Sequence, residues 1–449
     1  MLFLQNISYL NSLEEERFFL DRNITITRLE TLKNISRQNK KKLEGISRFL
    51  NKRDFWIYVY RSPIIPLRYS FRFKELDWIR LQLMESKGLS HFFDLRLNFA
   101  LDVIFYIIFT IFNEKFFDFS HGANLKKSPQ SCLLQIINEF GSIDWVLKID
   151  LNNLYLKNNQ SRLILVKILK KYIDDKKFFG ILKIFLKQVK LKFQCIPFEN
   201  KKYYEKDSFV NVFLTNVILH QLDKFFLRLN TVITSTLGNK NRVYFTRFNT
   251  QILIGISGQK HFKNRIKDII LVFINKSLFL EKDEIIYRAF DIIKTDIPFL
   301  GFIVKFKSKA KPTALVDKSY LIEHLFLSGF CTKDKKSKPC FKFFHFPQDV
   351  SINLANKFIV KLIDFYSVCY DIKSSINLIL FLVKGSLAKM FAAKFKLKTQ
   401  RQVFKLSHKD FSKSLKVSDR SQWSKKSRLY SQKELRLFHM RLHLKYKHS

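Results

Sequence analysis

Residues 245–260 read Phe-Thr-Arg-Phe-Asn-Thr-Gln-Ile-Leu-Ile-Gly-Ile-Ser-Gly-Gln-Lys, and the architecture of the chain follows from them and their neighbours. Two apolar runs, Arg242–Phe248 and Gln251–Ser257, flank the polar pair Asn249 and Thr250. Apolar runs separated by a two-residue polar turn are typical of a β-hairpin. We therefore predict a hairpin with this polar pair at its tip.

The segments around this hairpin predict an α+β layer. Residues 144–150 have the pattern of a strand, and a strand pair is expected around residues 299–304. Helices are predicted over about residues 161–188, 209–229 and 259–276. The resulting order of strand, helix, helix, hairpin, helix and strand indicates an α+β fold rather than a doubly wound sheet.

The chain divides into four predicted segments. Residues 1–60 are interpreted as a basic N-terminal extension, and residues 61–310 contain the α+β layer. The polar, basic stretch 305–312 ends in a proline and marks the boundary, after which the pattern is all-helical. Residues 311–405 are predicted to be a helical domain, and residues 406–449 a basic C-terminal tail.

The charge of the chain points to a polyanionic partner. The 449 residues contain 81 Lys and Arg against 38 Asp and Glu, a formal net charge of +43. Charge of this size repels itself in a compact state unless a polyanion offsets it, which argues against a simple metabolic enzyme. The 49 Phe against 11 Gly and 8 Pro reflect AT-rich codons and suggest an organelle genome.

The cysteines favour a reducing compartment. They form no CxxC pair, which argues against a disulfide scaffold. A zinc site can be drawn from Cys331, Cys340, His324 and His345, but their spacing matches no common ligand pattern. We expect no metal bound to the protein. The five cysteines are Cys132, Cys195, Cys331, Cys340 and Cys369.

Membrane insertion and import signals are not predicted. The apolar runs 102–112 and 376–383 are shorter than the roughly 20 residues of a membrane-spanning helix, so both are expected in a globular core. Glu14, Glu15 and Glu16 make the N-terminus too acidic for a transit peptide. A protein that acts in an organelle is then expected to be made there.

Four segments together resemble the reverse transcriptase domain of group II intron maturases. Residues 119–128, Phe-Ser-His-Gly-Ala-Asn-Leu-Lys-Lys-Ser, are similar to the family motif SHGFRP.RS. Residues 145–150, Trp-Val-Leu-Lys-Ile-Asp, resemble the strand that carries the first catalytic aspartate. Residues 245–260 are similar to the YxRYADDFLIGISGSK hairpin, and residues 299–302 match the FLGY element.

The resemblance continues beyond the predicted boundary. Phe-Tyr-Ser at 365–367 is similar to the YYS of the maturase X domain, and residues 382–389 resemble its LKYSLAKTLA helix. Residues 394–405 resemble its closing KHKL…VFKK segment. The family resemblance implies a degenerate reverse transcriptase fingers–palm domain followed by an all-helical thumb/X domain, and a role in intron splicing.

The departures from the family pattern bear on chemistry. Asp150 remains, but the Asp-Asp pair of the hairpin is replaced by Thr250 and Gln251. Polymerases use carboxylates to hold two divalent metals, and neutral side chains cannot balance those charges. The PQG turn of the family is also lost and reads Ile-Pro-Phe-Glu at 196–199. We predict that these positions are vestigial, that the protein has no catalytic residue or cofactor, and that Mg²⁺ enters only with bound RNA.

Residues 172–175, Tyr-Ile-Asp-Asp, spell the YxDD signature of active reverse transcriptases in a different context. They lie among Leu169, Lys170, Lys171, Lys176 and Lys177 at the end of an amphipathic helix rather than in an apolar hairpin. We interpret them as a solvated helix terminus.

RNA is the expected partner. Residues 391–449 contain 12 Lys and 5 Arg against 3 Asp and Glu, and such surfaces neutralise phosphates while aromatic rings, here Tyr366 or Trp423, stack on bases. The alternatives are a solvated surface role for each lysine, core packing for Phe365 and Tyr366, and a structural hydrogen-bonding role for His121. The predicted RNA-binding residues are Lys126, Lys127, Tyr366, Lys389, Lys394, Lys396, Lys398, Arg401 and Lys405.

The sequence therefore predicts an organellar maturase that binds group II or group III intron RNA, with a plastid favoured over a mitochondrion. Other splicing factors are further candidate partners. One alternative is a reverse transcriptase whose metal site is rebuilt from Asp150, Asp174 and Asp175. Others are a general basic organellar RNA-binding protein and a reading frame that has lost its function. The sequence identifies neither the target intron nor the oligomeric state.

Overall fold

The computed structural model has an α+β architecture, as the sequence predicts. Its strands are β1 (Leu43–Glu44), β2 (Ser120–His121), β3 (Trp145–Asp150), β4 (Ile173–Asp174), β5 (Arg242–Phe248), β6 (Gln251–Ser257), β7 (Ile286–Asp291), β8 (Ile297–Phe299), β9 (Phe302–Lys307) and β10 (Ala310–Val316). The structure describes residues 27–31, 34, 42–62, 71–84, 94–122, 127–151, 159–188, 206–237, 241–280, 285–292, 295–307, 310–415 and 428–447.

The helices surround and extend these strands. Those before the main hairpin are α1 (Ser47–Leu50), α2 (Arg53–Tyr60), α3 (Phe73–Met84), α4 (Asp94–Phe112), α5 (Pro129–Glu139), α6 (Asn159–Leu169), α7 (Lys176–Gln188) and α8 (Lys206–Leu237). Those after it are α9 (Lys260–Leu278), α10 (Lys318–Leu327), α11 (Gln348–Phe365), α12 (Ile372–Lys394), α13 (Gln400–Ser407) and α14 (Gln432–Lys447), with a 3₁₀ turn at Phe341–Phe343.

The central sheet has five strands in the order β2-β5-β6-β3-β7. β5, β6, β3 and β7 pair antiparallel, whereas β2 lies parallel to β5. The predicted hairpin is confirmed with its predicted bounds, and the predicted strand 144–150 begins at Trp145. The predicted pair near residue 300 forms β8 and β9, which continue into β10 as a second sheet.

The two faces of the central sheet belong to two hydrophobic cores. Side chains alternate between the faces of a strand, and Ile252 and Ile254 join the first core while Leu253 joins the second. Phe140, the residue directly after α5, covers the second face closely, because a Cβ on Gly255 would lie 2.9 Å from its Cδ2. Both faces of β6 are therefore buried, which explains its nearly continuous apolar sequence.

The predicted N-terminal extension is wrong for residues 42–60. Within this segment Ile46, Leu50, Phe55 and Trp56 are fully buried in the first core. Trp56 packs edge-to-face on Phe99 of α4, with ring centroids 5.9 Å apart. Residues 42–60 are therefore part of the folded core, although basic residues lie between their apolar positions.

The predicted helix 161–188 is two helices, α6 and α7, separated by the short strand β4. β4 pairs in parallel with β1, so Ile173 lies beside Leu43. Asp175 accepts hydrogen bonds from the backbone amides of Ser47 at 2.7 Å and Phe178 at 3.1 Å. Burial alone would raise the pKa of Asp175, but these amides hold it below its ordinary value. The YxDD-like tetrapeptide thus caps α7 rather than ending a solvated helix.

The predicted boundary at 305–312 lies inside a β-hairpin. β9 and β10 pair antiparallel across it, with Lys305 opposite Thr313. Alternation of buried Pro312, Ala314 and Val316 with more exposed neighbours marks residues 311–316 as a strand. The prediction of an all-helical segment after the boundary is therefore wrong for this first strand, and the helices begin at Lys318.

The predicted C-terminal tail is wrong for residues 428–447, which pack on the second core. Leu429 and Leu435 are fully buried, and His439 Nε2 lies 3.0 Å from the carbonyl oxygen of Ser367. The Asn356 amide donates to the carbonyl of Arg428 at 2.8 Å. Lys433, Arg436 and Arg441 lie on the exposed side of α14, so net charge alone gave the wrong prediction.

Two helices carry the longest apolar runs. Among the described residues, Ile372–Lys394 alone is long and apolar enough to span a membrane by length and composition, and 56% of its most apolar window is buried inside the protein. The side chains from Phe99 to Phe112 that face inward on α4 are likewise buried. Both runs pack as core helices, as predicted for 102–112 and 376–383.

Candidate nucleic-acid interface

The three positions that the sequence predicts to be vestigial, Asp150, Thr250 and Gln251, lie together at one end of the central sheet. Asp150 pairs in register with Gln251, whose Nε2 lies 3.5 Å from Oδ2 of Asp150. The amide of Leu151 donates to the carbonyl of Thr250 at 3.1 Å. The hairpin tip is therefore adjacent to the end of β3, as the spacing of the motifs implies.

A buried ion pair anchors this hairpin. Arg247 and Asp223 are both 0% exposed, and their two contacts are Nε to Oδ1 at 2.9 Å and Nη2 to Oδ2 at 2.6 Å. The remaining guanidinium donors reach Oδ1 of Asn216, Oγ of Ser120 and, at 2.9 Å, the carbonyl of Asn249. Such a bidentate pair with its other hydrogen-bonding capacity satisfied is the arrangement in which buried charges are tolerated.

Gly122 allows β2 to approach the hairpin tip. Its φ is +87°, and a Cβ there would lie 2.2 Å from Oδ1 of Asn249. That oxygen accepts a hydrogen bond from Nδ2 of Asn216 at 3.1 Å, and the amide of Asn249 donates to the carbonyl of His121 at 3.2 Å. Asn249 itself has a φ of 52°, which asparagine tolerates better than most residues. Only glycine at 122 leaves room for these contacts.

His121 is a structural residue, as one of the two sequence interpretations has it. Its ring nitrogens lie 2.8 Å from Oγ of Ser131 and 2.9 Å from Oε1 of Gln135. Thr246 of β5 donates to the same Gln135 oxygen at 2.7 Å. Burial lowers the pKa of His121 to about 4, so the ring is neutral at physiological pH. His121 therefore links β2 and α5 to the hairpin instead of presenting a cation to RNA.

Buried histidines should make folding sensitive to mild acid. Burial lowers the pKa of His121 and His324 to about 4 and that of His220 to about 3, from 6.5. Below pH 6.5 these histidines become protonated in the unfolded chain but stay neutral in the folded protein. The free energy of unfolding therefore falls as the pH falls. We expect the free energy of unfolding to decrease between pH 7 and 5 by up to about 1.4 kcal/mol per pH unit for each histidine. Urea unfolding measures this, and H121Q should show a shallower dependence; an unchanged dependence would contradict the burial of His121.

Two cations lie beside Asp150 on the sheet. Lys148 is two residues before Asp150 on the same face of β3, and it pairs in register with Arg288 of β7. The Lys148 ammonium donates to the carbonyl of Pro298 at 2.8 Å. Burial lowers the pKa of Lys148, Asp150 opposes that shift and Arg288 adds to it. Asp150 thus has two cations as neighbours, whereas a two-metal site needs further carboxylates there.

A metal site within the described residues would need several ligating side chains close together. Across the described ranges, no cluster of three or more His, Cys, Asp or Glu has a geometry that could hold a metal ion. Cys331 and Cys340 of the drawn zinc site are buried thiols that lie 3.7 Å from the carbonyl oxygens of Ile322 and Ser328. Asp174 belongs to the separate two-stranded sheet of β1 and β4.

Two of the predicted RNA-binding residues are committed to the fold. Tyr366 is fully buried with its ring edge-on to Phe302 and Phe365, so the prediction that it stacks on RNA is wrong. Burial raises the pKa of its hydroxyl far above the ordinary value. The Lys127 ammonium donates to the Asp118 carbonyl at 2.6 Å and pairs with its carboxylate at 3.1 Å. Lys126, Trp423 and the predicted loss of the PQG turn at 196–199 lie outside the described residues.

The remaining predicted cations lie on and after α12. The Lys389 ammonium donates to the carbonyl of Ser337 at 2.7 Å, and that of Lys394 donates to the carbonyl of Phe346. These two lysines therefore make contacts within the protein. The predicted residues that are exposed and form a basic group near the start of α13 are Lys396, Lys398, Arg401 and Lys405.

Residues 331–340 form a lysine loop that the sequence analysis missed. Its exposed cations alternate with small polar residues in the run Thr-Lys-Asp-Lys-Lys-Ser-Lys at 332–338. Four lysines in six positions, placed between a cysteine and a proline, were a readable signal of a surface turn. These lysines are Lys333, Lys335, Lys336 and Lys338.

Comparison with known proteins addresses the part of the chain that contains this basic surface. Residues 311–439 match the protein family described as type II intron maturase. Over these residues the chain is similar to that family, and we call the matched segment the maturase domain. The maturase domain begins in β10 and ends inside α14, which agrees with the packing of residues 428–447 and not with a domain end at residue 405. It contains 26 Lys and Arg against 9 Asp and Glu.

Relatives of the chain include organellar and bacterial intron proteins. The uncharacterized mitochondrial protein ymf11 of Marchantia polymorpha is 23% identical over 419 residues, covering 70% of this chain and 56% of that protein. Nuclear intron maturase 2, mitochondrial, of Arabidopsis thaliana is 34% identical over 88 residues, covering 20% and 12%. The group II intron-encoded protein LtrA of Lactococcus lactis is 28% identical over 152 residues, covering 32% and 23%. The match thus spans about half of the first relative and less of the others.

Proposed function

We propose that this protein binds group II intron RNA in an organelle and assists its folding and splicing without synthesising DNA. The observation that carries the proposal is a maturase domain with 26 basic against 9 acidic residues, several of which are exposed in the lysine loop and near α13. Such a surface neutralises RNA phosphates and releases counterions. Folded RNA is recognised mainly through shape, backbone and 2′-hydroxyls, and this does not require a catalytic residue.

We assign residues 61–310 to a degenerate reverse transcriptase fingers and palm, with the described N-terminal residues 42–60 packed into it. In support, Asp150 ends a strand that pairs with the hairpin carrying Thr250 and Gln251. The helices α8 and α9 contribute to the core on one face of the same sheet. The thumb/X domain would then begin at β10 and include α14.

Two observations argue against DNA synthesis. The hairpin tip offers neutral Thr250 and Gln251 where metal binding needs carboxylates, and Lys148 and Arg288 add positive charge beside Asp150. The alternative of a rebuilt site with Asp174 and Asp175 is disfavoured, since the carboxylate of Asp175 already accepts two backbone amides as a helix cap. Metal chemistry in splicing would then belong to Mg²⁺ bound by the RNA.

The organelle is more consistent with a mitochondrion than with the plastid that the sequence analysis favoured. The Marchantia and Arabidopsis relatives carry mitochondrial names, and the AT-rich composition suits either organelle. Other splicing factors remain candidate partners. Localisation of a tagged protein by fractionation separates the two compartments.

A primer-extension assay tests the absence of polymerase activity. The purified full chain, with an RNA template, a DNA primer and Mg²⁺ or Mn²⁺, is expected to give no extension product above background, because the second metal lacks its carboxylates. An active group II intron-encoded reverse transcriptase serves as the positive control. Extension that is lost in D150N would overturn this part of the proposal.

Splicing in the organelle tests the function itself. Loss of the protein is expected to leave at least one intron-containing transcript unspliced, measured by sequencing organellar RNA with and without the protein. Crosslinking should enrich that intron over ribosomal RNA. Broad recovery of ribosomal RNA with normal splicing of every intron would instead indicate a general RNA-binding protein.

A further inference from the structure

We propose that the lysine loop, residues 331–340, is a phosphate-contacting surface for RNA, and that Lys389 is a positioning residue that holds it. The inference rests on the proposed RNA-binding function, and it names a surface and a support for it. Lys389 was predicted from sequence to contact RNA directly, whereas its ammonium is used inside the protein. The RNA contacts then come from the loop that this ammonium supports.

Backbone hydrogen bonds give the loop a defined shape. Cys331 and Ser337 form an antiparallel bridge, and the amide of Thr332 donates to the carbonyl of Lys336 at 2.8 Å. The amide of Lys335 donates to the carbonyl of Thr332 at 3.1 Å, and Lys335 has a φ of 61°. A turn closed in this way projects its side chains outward from a fixed backbone, so little entropy is lost when they meet a ligand.

Helix α12 holds the loop at three neighbouring positions. The Lys389 ammonium donates to the carbonyl of Ser337 at 2.7 Å, and the Ser386 hydroxyl donates to the carbonyl of Lys338. Gly385 leaves the space that Ser337 fills, because a Cβ there would lie 2.7 Å from its Oγ and 2.9 Å from its Cβ. Residues 385, 386 and 389 lie on one side of a helix, so a single helical face supports both carbonyls.

The charge of the loop suits the phosphodiester backbone of a nucleic acid. Its four lysines are exposed, while Asp334 is the one acidic residue in the sequence of the loop. A solvated lysine contributes to RNA affinity mainly by releasing counterions, and this contribution adds along a phosphate backbone. Because the loop lies in the maturase domain, RNA is the polyanion that we assign to it, rather than an acidic protein.

Equilibrium binding as a function of salt tests the surface. The probe is a group II intron transcript from the same genome, and KCl is varied from 50 to 300 mM. The K333Q/K335Q/K336Q variant is expected to lose at least about tenfold in affinity at the lowest salt, with the slope of log K against log [KCl] shallower by about 2 to 2.7. The matched control K171Q/K176Q/K177Q, on exposed lysines of the α6–α7 connection and the first turn of α7, should keep the wild-type slope.

Each outcome has a distinct meaning. If the two triple variants lose affinity and slope equally, or if the loop variant binds like the wild type, the surface assignment is overturned while RNA binding stands. If the wild-type chain shows no salt-dependent binding to the intron transcript, the proposed function fails first. Thermal unfolding confirms that both triple variants are folded.

Hydrogen exchange in the absence of RNA tests the positioning role. K389M is expected to lose protection at the amides of Thr332 and Lys338, which are hydrogen-bonded in the loop, and K389R should restore it. G385A keeps the Lys389 charge but displaces Ser337, and it should weaken RNA binding as K389M does. K384M, earlier on the same helix, is the control. Unchanged exchange in K389M together with a shallower salt slope would show direct phosphate contact and overturn the positioning role.

Discussion

Replacing Arg247 with methionine is expected to lower the free energy of unfolding by about 3–5 kcal/mol, because it leaves the Asp223 carboxylate buried without its partner. Both side chains of the pair are 0% exposed, so water cannot replace the lost contacts. The carbonyl of Asn249 and the side chain of Asn216 lose a donor as well. Urea unfolding monitored by circular dichroism measures the change.

Two variants show whether the pair itself is responsible. The double variant R247M/D223L removes both charges and is expected to recover at least about half of the loss, because hydrophobic replacement of a buried pair is often neutral. K305M breaks the exposed pair of Lys305 with Asp296, whose atoms are 2.9 Å apart, and should cost no more than about 1 kcal/mol. Equal losses for R247M and K305M would contradict the buried network. If R247M does not accumulate, R247K provides a milder test, since lysine keeps the charge but not the fork.

Leu435→Ala is expected to cost about 2–5 kcal/mol of stability, because its side chain is 1% exposed in the second core and truncation leaves a cavity. The same helix provides a matched control in Leu437, which is 45% exposed. L437A should change the free energy of unfolding by no more than about 0.5 kcal/mol. Thermal or chemical unfolding of the full chain compares the two.

The comparison decides whether residues 428–447 are part of the maturase domain. A basic tail that leaves the surface freely would make both leucines equally replaceable. A large difference between L435A and L437A requires that α14 is docked on α11 and α12 in solution. The match of the family to residue 439 leads to the same expectation.

The hairpin and the strand before it could be predicted because their signals are local. Apolar runs with a two-residue turn determine β5 and β6, and the run ending in Asp150 determines β3. Their packing side by side followed from the order of motifs. By contrast, the short strand β4 depends on pairing with β1, which is about 130 residues away in sequence. No local pattern reports such a pair.

Abundant lysine accounts for most of the errors at the ends of the chain. In residues 42–60 and 428–447 the buried positions recur at helical spacing, whereas the sequence interpretation rested on the basic residues that lie between them. The basic residues of such a helix lie on its exposed face, whereas the apolar residues on its buried face determine whether it packs on the core. Amphipathic spacing is therefore the better guide in a chain this basic.

The candidate site was predictable in kind but not residue by residue. The clustering of cations in the maturase domain is visible in the sequence, whereas the partner of each ammonium is set by tertiary structure. Lys389 reaches Ser337, 52 positions earlier, and Tyr366 faces Phe302 in the core. The sequence does not show whether a lysine or tyrosine contacts RNA or packs inside the protein, and only the tertiary structure distinguishes these two roles.

Gly122, His121 and Arg247 meet at a hairpin tip that has Thr250 and Gln251 where the pattern of active reverse transcriptases has two aspartates. Gly122 is required by sterics, His121 by its buried hydrogen bonds and Arg247 by its buried ion pair, and none of these requirements depends on nucleotide addition. Residues of a polymerase-like motif can thus be kept for structural reasons alone. Similarity at such positions therefore indicates a shared fold. Polymerase activity must be inferred only from the positions that would bind the metal ions.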